Sequence, residues 1–190
     1  MKIYFFGGIM KKLVLILVIL MVMGGTLFAF DPLSYPPPVE GGDLMLDIGI
    51  GLRAMGYSSA KWTIPPLYAQ IEFALPVGVP ISVGGLFTIS SYGYKYGTNS
   101  EHNWLDMTFG GRANWHWGFD VSWLDLYTGL SLGYTVSKYT GKNNFYDLDG
   151  YGGFYWAGQI GAHFYFTKLI GLNVEFGFPY WVKAGVALKF

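Results

Sequence analysis

Leu44-Met45-Leu46-Asp47-Ile48-Gly49-Ile50-Gly51-Leu52 is the stretch that decides the fold. Leu44, Leu46, Ile48, Ile50 and Leu52 project to one side of an extended chain. Met45, Asp47, Gly49, Gly51 and the following Arg53 project to the other. Period-two alternation of this kind is the signature of a β-strand with two chemically different faces.

The same pattern returns over residues 67–73, 81–89, 105–117, 124–134, 154–166, 170–176 and 182–190, in the last of which Trp181, Lys183, Gly185 and Lys189 form the polar set. That predicts an all-β, eight-stranded antiparallel up-and-down barrel. Each segment is near the ~9–11 residues of a tilted membrane strand. The connections alternate as well. Residues 56–66, 91–103 and 139–153 are long, whereas 76–80, 118–122 and 167–168 are short; only the last outer connection, around Pro179, departs from this by being short. Long outer loops and short periplasmic turns are the habit of outer-membrane barrels.

Bulk decides which face meets lipid. The apolar set holds Phe73, Phe87, Phe109, Trp115, Trp117, Trp156, Phe164, Phe166 and Phe176. An eight-stranded barrel has an interior only wide enough for side chains to fill it. The Gly- and Ser-rich set suits that interior, so the aromatic set faces outward. Phe73, Trp115, Trp117, Phe164, Phe166 and Phe190 fall at one expected membrane edge, with Tyr134, Phe154, Trp156, Phe176 and Phe178 toward the other. Two such girdles anchor membrane barrels.

Composition agrees. Of 190 residues, 52% are hydrophobic and only 13% charged, about half the charge of an ordinary soluble domain. The formal net charge of zero argues against a nucleic-acid partner. The absence of cysteine excludes disulfides, thiolate metal sites and a lipidated cysteine. Residues 1–29 read as a signal peptide, with Lys11 and Lys12 before the apolar run Leu13–Met23 and Met10 as an alternative start. An uncleaved anchor is the competing reading. Residues 30–42, with Pro32, Pro36, Pro37 and Pro38, read as an extended lead-in without a fold of its own. The barrel occupies 43–190.

The C-terminal stretch from Gly158 to Phe190 resembles small outer-membrane β-barrel proteins of the OmpW/OmpX-like type. Gly161, Tyr165, Phe166, Gly171, Leu172, Glu175, Gly177, Lys183, Gly185, Leu188 and Phe190 carry the resemblance. It implies a barrel exported to the bacterial outer membrane, with Phe190 as the assembly signal. The implied partners are outer-membrane lipid, the barrel-assembly machinery and an extracellular ligand or small solute. Relatives of this kind serve as pores, adhesins or structural proteins, and no functional residue carries over.

The inward set places Asp47, Glu72, Asp106, Asp125 and Glu175 against Arg53, Arg112, Lys183 and Lys189, with His116 and His163 among them. Charges in a low-dielectric lumen must pair or stay wet. A hairpin centred on Pro179 puts Glu175 opposite Lys183, and Asp125 falls across from His116. A charge-filled plug is therefore expected in preference to a narrow pore lining. Two histidines without a third ligand do not make a metal site, and no cofactor is implied. A lipid-modifying enzyme is the alternative function. It would draw on His102, Glu101 and Ser100, which sit together in a loop without fixed register. Asp147-Leu148-Asp149-Gly150 lacks the Glu that completes a calcium loop. Tyr92, Tyr94 and Tyr96 suit either a sticky outer surface or a raised hairpin.

Overall fold

A computed structural model describes residues 38–52, 61–96, 100–119, 121–140 and 150–190, without the side chains of 94–96 and 100–102. The expected signal peptide, Arg53 and the Asp147-Leu148-Asp149 turn lie outside these residues, as do the side chains of Tyr94, Tyr96, Ser100, Glu101 and His102.

The chain forms β1 (Leu44–Leu52), β2 (Lys61–Ala74), β3 (Ile81–Tyr96), β4 (Ser100–Trp117), β5 (Leu124–Tyr139), β6 (Tyr151–Tyr165), β7 (Ile170–Gly177) and β8 (Val182–Lys189). Each strand pairs antiparallel with its sequence neighbour, and β8 returns to β1, so the sheet closes on itself. Closure leaves no sheet edge where backbone groups would meet hydrocarbon unpaired.

The expected strand count and order hold, but several boundaries move. The anticipated loops 56–66 and 91–103 are partly strand, since β2 starts at Lys61 and β3 and β4 run to Tyr96 and from Ser100. Pro65 and Pro66 obscure the β2 extension in the sequence. They are tolerated because β1 pairs β2 only as far as Ile50 opposite Leu67, and the β2–β3 register shifts there. β4 has 18 residues and β7 and β8 have 8 each. Strands β3 to β6 therefore extend well past β7 and β8 at the end carrying the long loops. The opposite end has tight turns; Gly78 supplies the positive φ of 77° that the β2–β3 turn requires.

The barrel is apolar outside and polar inside. Leu130, Leu132, Phe154 and Trp156 are 66–89% exposed, while Asp125, His163 and Lys183 are 0% exposed. A water-soluble barrel would show the reverse distribution, so this surface belongs in a lipid bilayer.

Both ends of the lumen carry a stopper. At the turn end residues 38–42 pack against the barrel. Val39 is buried with Met45 and Ala74, the Gly42 amide donates to the Ala74 carbonyl at 2.8 Å, and Lys189 donates from Nζ to the Pro38 carbonyl. Toward the loop end Tyr180 is buried with Tyr68 and Leu86. The expected inward position of Trp181 is corrected here. The Phe178–Trp181 turn breaks the alternation, turning Tyr180 inward (2% exposed) and Trp181 outward (62%).

Candidate functional site

Between these stoppers the inward side chains form one connected polar network. Its centre is Arg112 on β4. The guanidinium reaches three side chains on two other strands, β2 and β7. Nη1 donates to Gln70 Oε1 at 2.5 Å, Nη2 to Glu175 Oε2 at 2.6 Å, and Nε lies 2.9 Å from Glu72 Oε1. Lys183, directly opposite Glu175 in the β7–β8 register, forms an ion pair with it.

A chain of bonds leaves Arg112 through Glu72 and returns through Gln70. Ser82 Oγ donates to Glu72 Oε2 at 2.5 Å. His116 Nε2 lies 2.9 Å from Ser82 Oγ, and its Nδ1 lies 2.9 Å from Asp125 Oδ1. His163 Nδ1 meets Asp125 Oδ2 at 2.8 Å and Nε2 meets Asp47 Oδ2 at 3.1 Å. Gln70 Nε2 then donates to Asp47 Oδ2 at 2.7 Å. The circuit draws on β1 through β6 and closes on itself.

Tyr127 fills the middle. Its ring stacks on His163 with centroids 4.9 Å apart, and its hydroxyl donates to Glu175 Oε2 at 2.8 Å. Asn173 donates to the same hydroxyl at 2.8 Å and accepts from Tyr68 at 3.1 Å. Asn114 donates to Glu72 at 2.7 Å and accepts from Gln159 at 2.8 Å.

Both ring nitrogens of His163 face carboxylates, those of Asp125 and Asp47. His116 lies between the Asp125 carboxylate and the Ser82 hydroxyl, whose hydrogen is spent on Glu72. Arg112 and Lys183 stand among the Glu72 and Glu175 carboxylates, and pairing of this kind is the condition under which buried charges are tolerated.

Of the residues expected to form a lumen network, the structure gathers Asp47, Glu72, Arg112, His116, Asp125, His163, Glu175 and Lys183. Two stand apart. Lys189 sits at the turn-end rim, over the Tyr165 ring and 3.7 Å from Asp43. Asp106 lies toward the loop end, accepting from Ser137 at 2.5 Å. Sequence reasoning passed over Gln70, Ser82, Asn114, Tyr127 and Asn173, the neutral groups that join the charges. Their inward parity was the available signal.

Ser82, His116 and Asp125 share the connectivity of a hydrolase triad. Ser82 is 0% exposed, and its hydroxyl donates to Glu72. Among the described residues no group of three or more His, Cys, Asp or Glu is arranged to hold a metal ion.

Solved structures similar to this one share its architecture. The attachment invasion locus protein Ail of Yersinia pestis, crystallised with the heparin analogue sucrose octasulfate, aligns with a TM-score of 0.52 at 14% identity. It covers 80% of this chain and 100% of its own. The outer membrane protein OprG of Pseudomonas aeruginosa aligns with a TM-score of 0.50 at 13% identity, over 82% of this chain and 99% of its own. This is the fold of small bacterial outer-membrane β-barrels. No protein-family model and no curated protein matches the sequence.

Proposed function

We propose that this chain is a non-enzymatic integral protein of the bacterial outer membrane whose barrel is closed to solutes and serves as a rigid stalk for its outer surface. The observation that carries the reading is the Arg112-centred circuit, which draws on six strands and leaves the lumen filled with paired side chains. The turn end faces the periplasm, the N-terminal segment is an export signal, and Phe190 is read by the barrel-assembly machinery.

A filled lumen supports a structural or adhesive role over a porin-like one. The strands that outrun the membrane, β3 to β6, offer the outer face for an extracellular ligand. Ail, a structural neighbour, binds a heparin analogue, which fits a ligand on that face here. An enzyme needs its nucleophile and base open to substrate, and the buried Ser82–His116–Asp125 chain does not offer that.

Liposome swelling tests the reading. Protein extracted folded from membranes and reconstituted into liposomes gives no swelling with small sugars or amino acids beyond protein-free controls. Solute-dependent swelling would overturn the closed lumen. Release or transfer of acyl groups from labelled phospholipid or lipopolysaccharide would restore the enzyme alternative.

A further inference from the structure

The outer wall of the barrel is not evenly clad. Leu46, Ile71, Gly85, Gly111 and Leu132 are successive register partners from β1 to β5 and form one outward row. Ala69, Phe87, Phe109, Tyr134 and Phe154 form the row beside it, from β2 to β6. The two glycines at the centre of the first row leave a furrow, and the rings of the second row wall it. Phe87, Phe109 and Phe154 stand 45%, 52% and 89% exposed. The Tyr134 ring lies 6.2 Å from that of Phe109 and 4.9 Å from that of Phe154, so the wall is continuous there. The furrow encloses about 760 Å³, within the ~300–1,000 Å³ of small-molecule sites.

The furrow climbs the wall. Leu46 lies near the turn-end start of β1, and Phe154 near the loop-end start of β6. Five inter-strand steps of ~4.8 Å give it a length of ~24 Å. Membrane strands tilt by ~35–45°, so that length rises ~15 Å, half of a ~30 Å hydrocarbon core. One leaflet has that depth. The furrow also bends around six of the eight strands. A second barrel, itself convex, touches such a wall along few strands, whereas a hydrocarbon chain follows the curve. Beyond the upper end, Tyr134, Val136 and Lys138 share the outward face of β5. Lys138 is the one exposed cation among the described residues of β4 to β6.

We propose that this furrow holds one acyl chain of a phospholipid from the leaflet at the loop end. Left unfilled in a bilayer it would be a void, and the atoms lining a void forfeit their dispersion contacts. A chain laid along the two apolar rows restores them. The single cation beyond the furrow answers a single phosphodiester, whereas a lipid with several phosphates would find one counter-charge there. Because the furrow lies on the outer wall, its occupancy does not depend on whether the lumen conducts.

Native mass spectrometry tests it, with protein extracted folded from membranes and titrated in detergent with dipalmitoyl phosphatidylglycerol. One saturably bound lipid per monomer is expected. Gly85→Leu and Gly111→Leu fill the furrow. A Cβ at these positions would come no nearer than 3.6 Å and 3.9 Å to its surroundings, so both variants should fold. Each should weaken the lipid at least about tenfold, a loss near 1.4 kcal/mol. Gly158→Leu, outward on β6 but outside the furrow, should bind like the parent. Lys138→Gln should weaken binding about twofold to fivefold, the scale of an exposed charge contact. The heat-dependent gel shift checks the folding of each variant, and Ala69→Leu stands in if a glycine variant fails it. Absence of a saturable adduct, or equal affinity in the parent and the furrow variants, overturns the proposal. A dimer that the furrow variants abolish would give the furrow to a second copy instead. Displacement of the phospholipid by an equal concentration of lipid A, or an unchanged affinity in Lys138→Gln, would remove the phospholipid as its occupant.

Discussion

Gly161 of β6 stands directly opposite Tyr127 of β5, and the Tyr127 ring lies across the space that any side chain at Gly161 would take. The smallest residue thus makes room for the largest fully buried one, and the Tyr127 hydroxyl reaches Glu175 as a result. Gly161→Ala should destabilise the barrel by ~1–3 kcal/mol through overpacking. Gly153→Ala, where space is open, should stay within about 0.5 kcal/mol of the parent. Urea unfolding in detergent, followed by the gel shift, checks both. Equal effects at the two glycines would contradict the packing described.

Arg112 holds Glu72 and Glu175 together with Gln70 across the lumen. Its removal leaves buried carboxylates without their shared cation. Arg112→Ala is expected to cost ~3–5 kcal/mol, the usual penalty for breaking a buried pair by deleting one partner. The same unfolding measurement reads it. A loss below ~1 kcal/mol, typical of exposed pairs, would mean that water screens the site.

The outward face makes a separate claim. Leu130 is 66% exposed and its neighbour Ser131 only 5%, as the pleat requires. Leu130→Arg should therefore cost ~2–4 kcal/mol in a bilayer, the price of a cation on the lipid face near the midplane. Unfolding from lipid vesicles measures it. A neutral result would place Leu130 in water.

Most of the barrel was legible because membrane strands obey two constraints at once. Lipid fixes one face and a narrow lumen fixes the other, so Leu44 to Leu52 and Leu124 to Tyr134 read clearly. Legibility failed where one constraint lapsed. Toward the loop end neither face of β3 and β4 alternates cleanly, so Tyr92 to Tyr96 and Ser100 to Asn103 looked like loop. At the β7–β8 turn the alternation slips, which hid Tyr180 as the inward residue. The network was half legible. Parity marked the charges as inward, and local register placed Glu175 against Lys183. Contacts such as Ser82 with His116, or His163 with Asp47, cross the lumen between strands far apart in sequence. Those depend on the stagger of the closed barrel, a global quantity that no single strand encodes.

The central claim is that the lumen is closed by paired charges between Val39 and Tyr180. Single-channel recording tests it most directly, with protein extracted folded from membranes and inserted into planar bilayers. Insertion is verified by the heat-dependent gel shift of the same preparation. The account predicts a folded protein that carries no discrete current. Repeatable conductance steps of uniform size would contradict it and show that the Arg112 circuit lines a pore.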